Sequence, residues 1–143
     1  NVSAHYVIRR SDGYVKQLVH ESDRAYHARC WNVQAIGVEL EGFLKDPEAF
    51  SSSMMEAAAR LVADIASRHG ISIDELHIIG HDFGDTDKIR RTPLQRCNDH
   101  ADPGRYFPWD GFLGMVEGGG RSSPIPSPSQ PASRCSWWNP WCR

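Results

Sequence analysis

No stretch of this sequence carries the roughly 20 consecutive apolar residues of a membrane-spanning helix, so no helical span is written in these residues. Neither sign of charge is in excess. Sixteen Lys and Arg stand against 18 Asp and Glu, a net charge of −2, which argues against nucleic acid as a partner. The four cysteines contain no C-x-x-C pair, which removes a zinc ribbon. There is no glycine-rich phosphate loop, no serine in a nucleophile elbow and no internal repeat. The opening residues NVSAHYVIRR lack the apolar core of a signal peptide. A chain beginning at Asn1 is expected to be processed or truncated, with any export signal upstream.

What is present suits one soluble domain. The chain has 143 residues, 40% hydrophobic and 24% charged, ordinary values for a globular protein. Composition shifts near Glu117: five of the nine prolines and three of the five tryptophans lie beyond it. Residues 1–116 are therefore expected to form the domain and 117–134 a Gly/Pro/Ser-rich, extended linker. Residues 135–143 would be a Trp/Cys-rich stub, either a sugar-stacking surface or the edge of an incomplete module. Cys30, Cys97, Cys135 and Cys142 suit either two disulfides or reduced thiols. If oxidised, the expected pairs are Cys30 with Cys97 and Cys135 with Cys142.

Two β-rich runs, Tyr6 to Arg9 and Tyr14 to Val19, flank Ser11-Asp12-Gly13, and Asp-Gly is a strong hairpin signal. A third run, Ala35 to Glu41, reads as a strand with Glu39 and Glu41 on one face. Ser53-Met54-Met55-Glu56 has the form of a capping box. Ala58, Leu61, Val62 and Ile65 follow at helical spacing up to Gly70, which predicts a helix over 54–69 with Met54 and Met55 filling the core. Leu76 to Gly80 reads as a short buried strand. Pro108-Trp109-Asp110 opens a second, short helix through Val116. This order predicts an α/β or α+β domain with one mixed sheet.

Seven histidines draw attention, because histidine is the commonest metal ligand and acid–base side chain near neutral pH. His81 follows Ile78-Ile79-Gly80, where a strand end would enter a loop, a usual place for ligands in α/β domains. Asp102 precedes Pro103-Gly104, and proline restricts its backbone. Together they offer zinc a nitrogen and an oxygen, although Asp-Pro-Gly is also a common turn. Glu39 and Glu41 suit general acid–base work if their face is buried, and are ordinary surface charges if it is not. His77 reads as structural, His20 as surface, and His69 as a partner of the helix C-terminus.

Taken together these segments resemble a known family. Val2-Ser3-Ala4-His5-Tyr6-Val7-Ile8, Asp12-Gly13, Gln17-Leu18-Val19, Arg24-Ala25-Tyr26-His27-Ala28, Trp31-Asn32, Ala35 through Gly42, Ile79-Gly80-His81 and Asp102-Pro103-Gly104 follow in order. They are similar to the zinc-dependent N-acetylmuramoyl-L-alanine amidases of type 2, whose fold peptidoglycan-recognition proteins share. The resemblance runs from Val2 to about Val116. It implies a mixed central sheet flanked by helices and a peptidoglycan hydrolase. The bond cut would be the amide between N-acetylmuramic acid and the L-alanine of the stem peptide.

It further implies Zn2+ on His81 and Asp102, with Glu39 handling the proton of the activated water. His100 stands where the family often has lysine and would donate to the developing oxyanion. His27, Trp31 and Asn32 become candidate substrate contacts. The family's first zinc histidine lies on a strand before Ser3-Ala4-His5-Tyr6, so a third ligand is expected upstream of Asn1. Otherwise it would come from His5, His27 or another chain. The alternatives are a non-catalytic muropeptide-binding module and a zinc amidase acting on small peptide amides. A secreted or envelope-facing location is expected. No oligomeric state is implied.

Overall fold

The computed structural model describes residues 2–82 and 100–120. All the cysteine pairings, the linker and the Trp-rich stub lie wholly or partly outside the described residues.

Three short strands make the sheet: β1 (Tyr6–Ile8), β2 (Val15–Gln17) and β3 (Val38–Leu40). β1 is central. It pairs antiparallel with β2 and parallel with β3, the mixed sheet that the pattern predicts. The hairpin closes where Arg9 N–H donates to the Tyr14 carbonyl and Gly13 N–H to the Arg9 carbonyl. Gly13 is required there. Its φ is +70°, and a Cβ would lie 2.3 Å from the Ser53 carbonyl oxygen, because the first turn of helix α1 presses on the hairpin.

Helix α1 (Ser52–His69) begins two residues earlier than the spacing predicts. Ser51, not Ser53, is the N-cap, and its Oγ accepts from Met54 N–H at 3.3 Å. Such a cap satisfies one of the orphan donors of the first turn. The C-terminus ends as expected, with Gly70 left-handed at φ +65° and Ile71 N–H reaching back to the Ala66 carbonyl at 2.9 Å, a Schellman closure. Helix α2 (Trp109–Glu117) follows Pro108.

The sheet has two unlike faces. Tyr6, Ile8, Val38 and Leu40 are buried against the helices. Buried Ala57, Ala58, Ala59 and Ala66 keep the contact surfaces of α1 small, while Met54 and Met55 fill the interior as predicted. α2 adds Trp109, Phe112, Met115 and Val116, and Phe107 packs edge-on against Phe50 at 5.0 Å. The opposite face carries the row Lys16, Val7 and Glu39, in register across β2, β1 and β3.

One expected element differs. Leu76 to Gly80 contains no strand. Ile78 and Ile79 are buried as predicted, but the Asp74 carboxylate accepts from the N–H groups of Leu76 and His77 at 2.8 and 3.0 Å. Ile78 N–H bonds back to the Asp74 carbonyl at 3.0 Å. Local side chain–backbone bonds of this kind compete with a sheet ladder. His77 Nδ1 joins the same carboxylate at 2.8 Å, the structural role expected of it.

Candidate metal centre and catalytic groove

The loop after Ile78-Ile79-Gly80 and the turn at Asp102-Pro103-Gly104 bring three side chains together. His81 is 2% exposed and Asp102 7%. His81 Nδ1 lies 3.1 Å from Asp102 Oδ2. His100 is exposed, and its ring stacks on that of His81 with centroids 3.8 Å apart and an interplanar angle of 17°. Its Nδ1 is 3.6 Å from the other carboxylate oxygen of Asp102. One donor atom from each residue falls within 4.8 Å of the other two. Pro103 is fully buried beside this carboxylate, so the turn is anchored in the core.

Such an arrangement can do two things: it can orient an imidazole by a carboxylate, or it can hold a cation through two nitrogens and an oxygen. The profile of the N-acetylmuramoyl-L-alanine amidase family matches residues 1–105.

The chain belongs to that amidase family.

Among its relatives, N-acetylmuramoyl-L-alanine amidase A of Achromobacter lyticus is 35% identical over 129 residues, which cover 83% of this chain and 71% of that protein. The 1,6-anhydro-N-acetylmuramyl-L-alanine amidase AmpD of Haemophilus influenzae is 34% identical over 125 residues, 81% of this chain and 59% of that protein. The chain thus spans only part of each relative's length. No solved structure matches it.

The donor set fits the zinc expected in this amidase family. Two imidazoles and a carboxylate are zinc ligands, and tetrahedral bonds of about 2.0–2.2 Å place donors roughly 3.3–3.5 Å apart. The three donor atoms here lie within 4.8 Å of one another, the same distance scale. The structure brings His100 beside the two candidate ligands read from the sequence. Two of the candidates for a third ligand, His5 and His27, have ring nitrogens that face backbone groups. His5 Nδ1 accepts from Gly37 N–H at 2.9 Å and its Nε2 faces the Asp23 carbonyl at 3.1 Å. His27 Nε2 faces the Ala35 carbonyl at 3.2 Å.

His27 and Asn32 were expected at the substrate, and the structure places both inside. His27 is 5% exposed. Its ring meets that of His5 edge-on at 5.4 Å and leaves no room for a Cβ at Gly37. Burial first, then the neighbouring His5 and His81, push its pKa down to about 4, while the Ala35 carbonyl pulls the other way. Asn32 Oδ1 accepts from the N–H groups of His27 and Ala28 at 2.8 and 2.6 Å, which staples the loop carrying the short 3₁₀ turn Arg29–Trp31. Trp31 and Asn32 line a cavity of about 540 Å³ shared with Val38, Ile65 and Ile78.

Glu39 lines a different space, an open groove of about 940 Å³ over the Lys16–Val7–Glu39 row, with Tyr14 and Phe43 on its sides. The two glutamates of β3 and its end are not equivalent here. Glu41 is exposed and accepts from Arg10 N–H at 2.8 Å, whereas Glu39 is half-buried. The three donors do not line this groove.

Proposed function

We propose that the chain hydrolyses the amide between the lactyl group of N-acetylmuramic acid and the L-alanine of the peptidoglycan stem, with zinc as cofactor. The observation that carries this reading is the convergence of His81, His100 and Asp102 in a chain of the amidase family. When bound, zinc acidifies water and polarises the carbonyl under attack.

The residues divide by burial. His81 and Asp102, both buried, would hold the ion from the closed side, and Asp102 also orients the His81 ring through Nδ1. His100 has a side chain 41% exposed. It faces the side from which substrate arrives and donates to the oxygen on which charge develops. Glu39 takes the proton of the attacking water and returns it to the leaving amine of L-alanine. Trp31 and Asn32 shape the loop beside the site, and His27 fixes it from within. Because peptidoglycan lies outside the cytoplasmic membrane, the reading carries a secreted or envelope-facing location with it.

Mass spectrometry of peptidoglycan digested by the zinc-loaded chain tests the reading, beside a chelator control. Free stem peptides beginning at L-alanine, absent with chelator, are expected. Intact glycopeptides under both conditions would refute it. Glu39→Gln should retain zinc and lower turnover by about 10²–10⁴-fold. His100→Ala separates two roles: retained zinc with a fall in kcat marks a proton donor, while lost zinc marks a ligand.

A further inference from the structure

We propose that His5 is a positioning residue for the hydrolysis: its imidazole fixes the register of β3 against β1 and so holds Glu39 on the face of the sheet that opens to the groove. The inference rests on the amidase reading above and deepens it.

β1 and β3 meet over three residue pairs, Tyr6 with Val38, Val7 with Glu39 and Ile8 with Leu40. Side chains alternate along a strand, so a slip of one residue exchanges its two faces. Slipped, β3 would turn Glu39 toward the core and its buried neighbours Val38 and Leu40 outward. A ladder this short is held in register by a fixed point at its end.

Gly37 is that point. Its carbonyl accepts from the backbone N–H groups of His5 and Tyr6 at 3.0 and 3.1 Å. Its own N–H donates to His5 Nδ1 at 2.9 Å. His5, the residue before β1, thus holds both backbone groups of Gly37, the residue before β3. The ring is fixed in turn: Nε2 faces the Asp23 carbonyl at 3.1 Å, and His5 is 2% exposed. Accepting at Nδ1 and donating at Nε2 defines the neutral tautomer with its proton on Nε2. On the other side the His27 ring stands 2.6 Å from where a Gly37 Cβ would be, so Gly37 is gripped between two histidines.

Glu39 lies two residues further along the same strand, and residues i and i+2 share a face. A shift at Gly37 is therefore passed to Glu39 through one repeat of extended chain. A general base must stand within hydrogen-bond reach of the proton it takes, and a misplacement of about 1 Å can cost on the order of 10²-fold in rate.

The test is a double-mutant cycle on the zinc-loaded chain, with N-acetylmuramoyl-L-alanyl-D-isoglutamine as a soluble substrate. His5→Gln keeps a donor for the Asp23 carbonyl and removes the acceptor for Gly37 N–H. It should lower kcat by about 10–10²-fold, with KM and zinc content unchanged. His5→Asn sets an oxygen where Nδ1 stood and should recover much of the loss. In a Glu39→Gln background, its residual turnover read by mass spectrometry after long digestion, His5→Gln should have little further effect, because the residue it positions has lost its chemistry. Gly37→Ala displaces the strand from the His27 side and should behave likewise, which keeps the inference testable if His5→Gln does not fold. Full kcat in these variants, zinc lost in step with kcat, or an undiminished effect in the Glu39→Gln background overturns the inference and leaves the amidase reading intact. No cleavage by the wild type overturns both.

Discussion

The molecule holds two pairs of histidines in contact, and they have opposite fates. His5 and His27 meet edge-on inside the fold, and their ring nitrogens face backbone groups of Asp23, Ala35 and Gly37. His81 and His100 stack beside a carboxylate at the end of a loop. Residue type does not separate the two pairs. What separates them is the partner. A backbone carbonyl fixes a neutral tautomer and uses the ring as a rivet, whereas a carboxylate gathers donor atoms that a cation can share.

The largest expected effect breaks the second pair. Asp102→Ala removes the only carboxylate of the donor set, and zinc content by elemental analysis should fall to background together with activity. Unchanged zinc binding would exclude Asp102 as a ligand. The same change made to the first pair has no such consequence, because His5 and His27 are committed to the backbone.

The first pair should instead reveal itself through pH. The folded-state pKa of His27, about 4, lies below its ordinary value of 6.5. The unfolded chain therefore binds the proton first, and the contribution to stability is present above pH 6.5 and lost as pH falls through 4. The loss amounts to about 3 kcal/mol. Urea unfolding between pH 7.5 and 4 should show it, and in His27→Phe the drop over that interval should shrink by about that amount. An identical drop in the variant would place the proton elsewhere.

A smaller change sharpens the same contrast. Gly37→Ala would set a Cβ 2.6 Å from the His27 ring, and the crowding should cost about 1–3 kcal/mol in thermal or urea unfolding while zinc content is retained. A cost near zero would mean that the loop gives way freely. Ser51→Ala, remote from both pairs, should lower stability by about 1 kcal/mol through loss of the α1 cap and leave zinc and turnover as they are. A larger loss would show that the Ser51 hydroxyl, which also meets the Arg10 carbonyl, ties the helix to the hairpin as well.

Much of the frame was legible in the residue pattern, because it rests on local interactions. Asp12-Gly13 announced the hairpin, the apolar spacing from Met54 to Ile65 announced α1, and Gly70 marked its end. The error at the helix start is also local: Ser51 and Ser53 are both competent caps, and packing against the hairpin turn selected the first. Leu76 to Gly80 was misread because apolar content reports burial, which is correct there, and not the hydrogen-bond partners, which Asp74 supplies instead.

The chain order of motifs was enough to indicate the family and to single out Glu39, His81, His100 and Asp102 as a set. It could not say that His100 would stack on His81, that His27 and Asn32 would turn inward, or that Lys16 would stand in register with Glu39. Those facts depend on contacts between residues distant in sequence, 21 apart for His81 and Asp102 and 32 for His5 and Gly37. Sequence by itself determined which chemistry was available and which elements would form. Tertiary structure decided which side chains spend their polar atoms on the fold and which keep them for a ligand, because that choice is made by neighbours that only folding brings together.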